Sequence, residues 1–301
     1  MSLSAVATDR SFAAERAEVD RTLAGFCDRY LGALAPTVAE AIRYSLLGEG
    51  KRLRAILVVA AHRAAGGTGN ITALAAAVEV VHAYSLVHDD LPCMDDDDMR
   101  RGRLTVHKVY GVPAATAAGL AMVPLAAKAA DAAARSLGLA PDTCGAIVRT
   151  LMVASGAGGM IGGQLLDLDG EGTALTLEQL ERIHRAKTGA LIEASVMLGG
   201  MAAGASPAAM QAFERYGAAI GLAFQIADDV LDVTATTDQL GKVAGRDLAL
   251  QKSTYPALMG IEGARARAES LVEDACAALA GEGLLTPDLD YLARFMVRRS
   301  S

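Results

Sequence analysis

Two acidic clusters about 140 residues apart constrain the fold of this chain more than any other feature. The first occupies residues 89–98, and the second is the segment QIADDVLD at residues 225–232, in which Asp228 and Asp232 share one face of a helix. Carboxylates this close together repel one another unless a cation lies between them, and the usual cation is a divalent metal ion. The two clusters can hold metal ions across one cavity only if the intervening chain folds back, as antiparallel helices do.

The first cluster has the composition of a site for a metal ion and a diphosphate. Carboxylates supply only oxygen ligands, which favour a hard ion such as Mg²⁺, and substrate phosphates often complete its coordination. The arginines that follow suit the same phosphates, because a guanidinium group pairs with two phosphate oxygens at once. The residues are Asp89, Asp90, Asp95, Asp96, Asp97 and Asp98, followed by Arg100, Arg101 and Arg103.

The spacing within this first cluster leaves the choice of metal ligands open. On an unbroken helix, Asp96 would share the face of Asp89 and Asp95 would not. Pro92 lies between them, however, and proline interrupts or kinks a helix because it lacks an N–H and clashes with the preceding turn. A kink at Pro92 could bring Asp95 round instead.

The composition predicts a single all-α domain over residues 1–301. Hydrophobic residues make up 52% of the chain, aromatic residues only 4%, and alanine is abundant. A core of this kind consists of closely packed helices with small side chains, and no linker divides it. The expected helices cover residues 13–34, 36–47, 51–65 and 72–87, further segments within 112–204 that include a capping box at Thr176 and Gln179, and then 206–232, 260–280 and 287–299.

Charge, cysteine content and hydropathy argue against several other classes of protein. A net charge of −7 argues against a nucleic-acid surface, which needs a basic footprint. The four cysteines are scattered without a CxxC pair, which fits a reducing cytoplasm and argues against zinc and disulfides. No signal peptide is apparent. Residues 109–127 are an uncharged run of spanning length, but their alanine, glycine and proline content favours a buried helix over a membrane span.

Cations at two other places in the chain suit a diphosphate. Lys51 and Arg54 stand at the start of a predicted helix, where the helix dipole disfavours positive charge, so an anion is expected beside them. The alternative there is a solvated basic start. Lys242 and Lys252 lie in the polar loop after the second acidic cluster, and we expect them to reach a metal-bound diphosphate. His82 precedes the first aspartate by seven residues on nearly the same helical face, which makes it a further candidate.

Several separated motifs resemble those of the trans-prenyltransferases, the polyprenyl diphosphate synthases, and most closely the bacterial farnesyl diphosphate synthases. The motifs run in the family's order from about residue 48 to residue 258. The resemblance implies one domain of about ten mostly antiparallel helices around a central cavity, in a homodimer. The motifs are GKRLR (50–54), HAYSLVHDDLPCMDDDDMRRG (82–102), GGQLLDL (162–168), HRAKTGALI (184–192), GLAFQIADDVLD (221–232), and the later LGK and KSTYPAL.

The resemblance also implies a reaction and a cofactor. The reaction is the condensation of isopentenyl diphosphate with dimethylallyl or geranyl diphosphate, by ionisation of the allylic carbon–oxygen bond and without a covalent enzyme intermediate. Mg²⁺ ions, three per site with substrate bound, would stabilise the leaving diphosphate. The implied metal ligands are Asp89, Asp90 and Asp95, with Asp95 preferred over Asp96, in the first motif, and Asp228, Asp229 and Asp232 in the second.

The resemblance assigns the remaining site residues to two diphosphates. The residues implied for the allylic diphosphate are Arg100, Lys187, Thr188, Gln225, Lys242 and Lys252. Those implied for isopentenyl diphosphate are Lys51, Arg54, His82 and Arg101. The groups assigned to catalysis, because they act on the leaving diphosphate, are Asp89, Asp90, Asp95, Arg100, Lys187, Asp228 and Lys242.

Tyr84, five residues before Asp89, occupies the family position that limits growth of the product chain. Helical phase alone favours Ser85 for that face. Because families that make longer chains tend to have a smaller residue at the position of Tyr84, we expect the C15 product farnesyl diphosphate, with C20 geranylgeranyl diphosphate as the alternative.

Two other functions are less consistent with the motifs. A class I terpene cyclase typically combines one aspartate motif with an Asn/Ser/Glu metal triad, which is absent here. A non-catalytic subunit of a heteromeric prenyl synthase commonly lacks an aspartate motif, and both are intact in this chain.

Four positions depart from the family pattern. Glu49 replaces a glycine before GKR, Ala55 a proline after RLR, Leu104 a proline in the segment that ends at residue 107, and Leu120 an aspartate after glycine. None is an implied ligand of metal or diphosphate, so we expect activity to survive.

Overall fold

The computed structural model of the protein describes residues 12–234 and 252–298. About three quarters of these residues are helical and only four are in strands, which confirms the all-α prediction. The helices are α1 (Ala13–Tyr30), α2 (Pro36–Leu46), α3 (Leu53–Ala64), α4 (Thr72–Asp89), α5 (Val106–Tyr110), α6 (Val112–Ser136), α7 (Pro141–Ser155), α8 (Met160–Asp169), α9 (Leu177–His184), α10 (Ala190–Ala202), α11 (Pro207–Thr234), α12 (Tyr255–Gly281) and α13 (Pro287–Arg298).

Three elements among the described residues were not predicted, and one of them is the short helix α5. A short antiparallel ribbon pairs β1 (Met99–Arg100) with β2 (Arg103–Leu104), and its turn contains Arg101 and Gly102 at positive φ. A single π-helical segment, Arg185–Gly189, joins α9 to α10 and is called the π segment below. Neither the ribbon nor the π segment has a periodic hydrophobic pattern, so the sequence offered no signal for them.

Helix boundaries follow the local sequence signals closely. The capping box at the start of α9 is present, with the Thr176 side chain bonded to the Gln179 backbone and the Gln179 side chain bonded back. One start was misplaced: α12 begins at Tyr255, and the expected start at Gly260 is a kink inside the helix where φ is 75°. Only glycine adopts that backbone conformation without strain.

Close approach between helices depends on small residues, as the composition indicated. α3 and α11 both pack against α10, and α4 packs along α6. At Gly199 of α10, an added Cβ would overlap the carbonyl oxygen of Val58 on α3. Gly221 of α11 likewise lies against Gly189 of the π segment, where a Cβ would come within 2.8 Å of the Gly189 Cα.

Two stretches, Val112–Ser136 and Pro141–Asp169, are long and apolar enough to cross a membrane by length and composition alone. The first is α6, which buries Ala118 and Met122 completely in the main hydrophobic core and packs along α4. This packing supports the expectation that residues 109–127 belong to the protein core.

Candidate active site

The turn after α4 brings Asp95 back to Asp89. The helix ends at Asp89, and the Asp95 N–H donates to the Asp89 carbonyl oxygen at 2.8 Å. Asp96 has a left-handed backbone with φ of 49°, and its side chain is exposed. Of the two alternatives for the first motif, the turn near Pro92 therefore produces the pairing of Asp89 with Asp95.

The first motif concentrates buried negative charge around Asp89. Burial raises the pKa of Asp89 to about 7; the Lys187 ammonium counteracts this rise, and Asp95 adds to it. Burial also raises the pKa of Asp90, whose carboxylate accepts hydrogen bonds from Arg100 Nε at 2.7 Å and Nη2 at 2.6 Å. A divalent cation beside Asp89 and Asp95 would relieve the cost of ionising them, and their oxygen donors fit Mg²⁺.

Two lysines predicted to bind the allylic diphosphate meet on Asp167 of α8. Lys187 Nζ lies 2.6 Å and Lys252 Nζ 2.9 Å from Asp167 Oδ2. Burial would raise the pKa of Asp167, but the two ammonium groups outweigh it and lower the pKa below its usual range. Lys252 Nζ also lies 3.3 Å from Glu171 Oε1, so two ammonium groups are held between two carboxylates a short distance from Asp89. Lys242 lies outside the described residues.

The GGQLLD motif on α8 packs the first acidic cluster against the π segment. A Cβ at Gly163 would overlap the backbone of Lys187, so glycine permits this contact. Gln164 is buried, and its Nε2 donates to Asp95 Oδ1 at 3.3 Å. Close packing, rather than a phosphate loop, accounts for the glycines.

The second motif lies on α11 and contacts the other side of the π segment. Asp228 is half-buried, and Asp232 is 5% exposed. Asp229 Oδ2 accepts hydrogen bonds from His184 Nε2 at 3.1 Å and from the Tyr255 N–H at 2.9 Å. Among the residues predicted for the allylic diphosphate, Gln225 on α11 and Thr188 in the π segment are half-buried.

The residues predicted for isopentenyl diphosphate converge at the start of α3. Arg54 Nη1 donates to His82 Nε2 at 3.4 Å, and Arg101 Nη1 donates to the Glu49 carbonyl oxygen at 2.9 Å. Burial, followed by the charge of Arg54, lowers the pKa of His82 well below its usual value, so the ring is neutral. Lys51 is exposed, with its ammonium 5.9 Å from the centre of the Phe295 ring.

Arg52 lies beside these residues at the start of α3, and the sequence did not predict its structural role. Its backbone is left-handed, with φ of 52°, and only 7% of the residue is exposed. The guanidinium donates to Asp20 at 2.8 Å and to the carbonyl oxygens of Leu46 and Gly48 at 2.9 and 2.8 Å. The sequence did show Arg52 as a third cation in residues 51–54. It did not show its buried acidic partner Glu79, whose Oε2 lies 3.9 Å from Arg52 Nη1.

Tyr84 and Ser85 are both buried near the first motif. The Tyr84 ring meets the His88 ring edge-on, with centroids 5.0 Å apart, and His88 Nε2 donates to the Thr116 carbonyl oxygen on α6 at 3.1 Å. The Ser85 hydroxyl instead donates to the backbone carbonyl oxygen of His82 at 2.9 Å. Tyr84 is thus the larger of the two buried side chains, and among the contacts of the described residues it meets α6 only through His88.

A separate group of potential ligands lies beside the first motif. Ligand atoms of Asp96, Asp98 and His107 are all within 4.8 Å of one another. Lys108 Nζ, however, already lies 2.7 Å from Asp98 Oδ1. This ammonium group supplies the positive charge that a metal ion would otherwise provide there.

None of the four departures is a predicted ligand, but Glu49 contacts Arg101 and Ala55 follows Arg54, both predicted to bind isopentenyl diphosphate. The N–H of Ala55 donates to Glu79 Oε1 at 3.1 Å, a bond that the family's usual proline could not make. The carbonyl oxygen of Leu104 accepts from the Tyr44 hydroxyl at 2.8 Å, and Leu120 is 65% exposed on α6. The carbonyl oxygen of Glu49 is the one that Arg101 contacts.

Comparisons with known proteins agree with these motifs. A family model described as polyprenyl synthetase matches residues 35–280. Farnesyl diphosphate synthase of Escherichia coli strain K12 is 47% identical over 268 residues, which cover 87% of this chain and 89% of that protein. The chloroplastic geranylgeranyl pyrophosphate synthase 7 of Arabidopsis thaliana is 42% identical over 269 residues, which cover 88% of this chain and 77% of that protein.

A solved structure gives the same result for the fold. The geranyltransferase from Helicobacter pylori, complexed with magnesium and isoprenyl diphosphate, has a TM-score of 0.79 and 30% identity, and the match covers 95% of each chain. The class that fold and motifs define is a helical isoprenoid synthase. The chain belongs to the polyprenyl synthetase family, as the resemblance predicted.

Proposed function

We propose that the chain is a short-chain trans-prenyl diphosphate synthase, which joins isopentenyl diphosphate to an allylic diphosphate and releases inorganic diphosphate. The observation that carries the proposal is the presence of two separate cationic groups beside α4. One is Lys187 with Lys252 near Asp89, and the other is Arg54 with Arg101 near His82. Seven helical residues separate His82 from Asp89, about 10 Å of helical rise, so two diphosphates can bind without sharing a site.

The proposed reaction needs no nucleophile from the protein. When bound, Mg²⁺ would supply positive charge that stabilises the departing diphosphate. The residues that would hold the ions, three with substrate bound, are Asp89 and Asp95 of the first motif and Asp228 and Asp232 of the second, with Asp90 and Asp229 beside them. These carboxylates supply only oxygen donors, as a hard ion requires.

The cations of the chain would bind and orient the diphosphate. Lys187 and Lys252 now share Asp167, and a metal-bound diphosphate with its greater charge would draw both ammonium groups towards the leaving oxygen. Arg100 would remain on Asp90 and face the same anion. We propose Lys242 as a third such cation, because it lies in the LGK segment that matches the family motif. The departing diphosphate would accept the final proton.

We propose farnesyl diphosphate, C15, as the product. Support comes from Tyr84, whose buried ring lies against His88 one turn before the first acidic motif and would block a longer chain. The E. coli relative is named a farnesyl diphosphate synthase, whereas the Arabidopsis relative is named a geranylgeranyl pyrophosphate synthase. A C20 product is therefore the second candidate.

We further propose a homodimer in the cytoplasm. Exposed apolar side chains on α6 and α7, including Leu120 and Val153 at 65% and 63% exposed, are surfaces that a second copy would cover. All four cysteines are free, as a reducing compartment favours.

The test is an incubation of the purified protein with Mg²⁺, geranyl diphosphate and labelled isopentenyl diphosphate, followed by chromatography of the products. We expect a C15 diphosphate. A C20 diphosphate would favour the second candidate, release of a hydrocarbon or alcohol would indicate a cyclase, and no incorporation would indicate a non-catalytic subunit.

A further inference from the structure

The buried ring of Tyr84 connects to helix α6 through the side chain of His88. The two residues lie one helical turn apart on α4, and their rings meet edge-on, with centroids 5.0 Å apart and planes at 69°. An edge-on arrangement is favourable for neighbouring aromatic rings, so each ring restricts the rotation of the other. Tyr84 is 7% exposed, and His88 is half-buried beside it.

His88 is itself fixed on the backbone of α6. Its Nε2 donates to the carbonyl oxygen of Thr116 at 3.1 Å. Because a carbonyl oxygen can only accept a hydrogen bond, Nε2 carries the hydrogen, and the bond determines which way the imidazole points. The ring thus contacts Tyr84 on one side and is bonded to α6 at its far end.

Gly119 of α6 gives the His88 ring the space it occupies. Gly119 is buried, and a Cβ added to it would overlap the imidazole at Nε2 and Cδ2. In a closely packed interior, any larger residue at this position would push the ring away from Thr116. The departure at Leu120 leaves the contact intact, because that side chain is 65% exposed.

A ring can end chain growth only if it stays in place when the growing chain presses on it. A side chain with space beside it moves to another staggered rotamer easily. A side chain packed against a fixed neighbour must displace that neighbour as well. His88 is such a neighbour for Tyr84, because it is bonded to a second helix.

We propose that His88 and Gly119 help to set the length of the product. His88, bonded to Thr116 and lying against Gly119, holds the Tyr84 ring where it ends chain growth at C15. Both residues act through Tyr84, so they are positioning residues. The inference rests on the proposed synthesis of farnesyl diphosphate. It differs from a limit set by Tyr84 alone, in which the contacts of His88 would not affect product length.

The first test replaces His88 and measures the ratio of C20 to C15 product formed from geranyl diphosphate and excess labelled isopentenyl diphosphate. His88→Ala removes the ring beside Tyr84. We expect the ratio to rise roughly two- to tenfold, the change that loss of one aromatic pair permits. A merely structural role for His88 would lower the rate of both condensations and leave the ratio unchanged, and that result overturns the inference.

The second test removes the same support from the other helix. Gly119→Ala places a methyl group where the His88 ring lies, so we expect a higher ratio of C20 to C15 and a lower Tm. Gly25→Ala is the control: nothing lies within 4 Å of its added Cβ, and it should keep the wild-type ratio. A folded Gly119→Ala protein that keeps the wild-type ratio overturns the inference.

A double variant shows whether the two residues act through one contact. His88→Ala combined with Gly119→Ala removes the overlap, so its Tm should exceed that of Gly119→Ala alone while the product remains long. A Tm below those of both single variants contradicts the contact. If Gly119→Ala does not fold, His88→Ala still decides the question.

The outcomes also separate this inference from the proposed function. A wild-type protein that forms no C15 diphosphate overturns the proposed product and the inference together. A wild type that forms C15, with a longer product from Tyr84→Ala but not from His88→Ala, overturns the inference alone.

Discussion

The Asp95 N–H donates to the carbonyl oxygen of Asp89 at 2.8 Å, and this bond closes the turn that ends α4. This turn explains why, of the six aspartates in the cluster, Asp95 lies next to Asp89. Asp96, one residue later, has its backbone in the left-handed region and its side chain exposed. Backbone geometry, as well as charge, therefore distinguishes Asp95 from Asp96 as a candidate metal ligand.

Asp95→Asn should therefore be far more damaging than Asp96→Asn. Loss of a charged ligand from the site of leaving-group ionisation should lower kcat on the order of 100-fold. Asn tolerates the left-handed backbone at position 96, so Asp96→Asn is a matched control that should fold normally and keep its activity. Steady-state kcat at saturating Mg²⁺ measures both. A comparable loss in the two variants would show that the turn does not select Asp95.

Tyr84→Ala should lengthen the product. Removal of the ring opens the space that Tyr84 fills against His88, and the growing chain would extend into it. Tyr84→Phe keeps the bulk and should still release C15. Chromatography of dephosphorylated products distinguishes the two. If Tyr84→Ala still stopped at C15, another residue would have to limit the chain.

Arg52→Met should lower the free energy of unfolding without affecting the reaction directly. The substitution leaves buried Glu79 without its cation and two carbonyl oxygens without a donor, which costs about 3–5 kcal/mol for a buried charge. Urea denaturation measures the free energy of unfolding. Lys51→Met is the control: Lys51 is exposed, so stability should change by less than about 0.5 kcal/mol while KM for isopentenyl diphosphate rises. Equal stability of the two variants would contradict the structural role of Arg52.

Gly199→Ala should destabilise the fold by about 1–3 kcal/mol, because the added methyl overlaps the Val58 carbonyl oxygen and forces α3 and α10 apart. Gly25→Ala in α1 is the matched control. Nothing lies within 4 Å of a Cβ at Gly25, so the better helix propensity of alanine should leave stability unchanged or raise it by about 1 kcal/mol. Thermal denaturation compares them, and a Gly199→Ala protein as stable as the wild type would mean that the helices tolerate a wider spacing.

The sequence predicted those parts of the molecule that depend on local signals. Helix periodicity and capping located most helices, and charge spacing located the residues of both motifs. The position of Arg52 could not be predicted, because its left-handed backbone and its four partners are set by tertiary contacts. The π segment has no pattern of its own, since it results from packing between Gly163 and Gly221.

Asp229 is an intermediate case. On a helix, adjacent residues differ by about 100° in direction, so Asp229 points away from Asp228, whereas it lies only about 60° from Asp232. The different direction was therefore readable from spacing alone. What the spacing did not reveal was the identity of the donors, His184 and Tyr255, which lie 45 and 26 residues away in the chain.

The most direct measurement is a crystal structure with Mn²⁺ and an analogue of geranyl diphosphate in which sulfur replaces the bridging carbon–phosphorus oxygen, so that the bond does not ionise. Anomalous scattering gives the metal positions. We expect three Mn²⁺ ions beside the diphosphate, held by Asp89 and Asp95 of the first motif and by Asp228 and Asp232 of the second. Ions bound to one motif alone, or found instead among Asp96, Asp98 and His107, would contradict a single metal–diphosphate site formed by both acidic clusters.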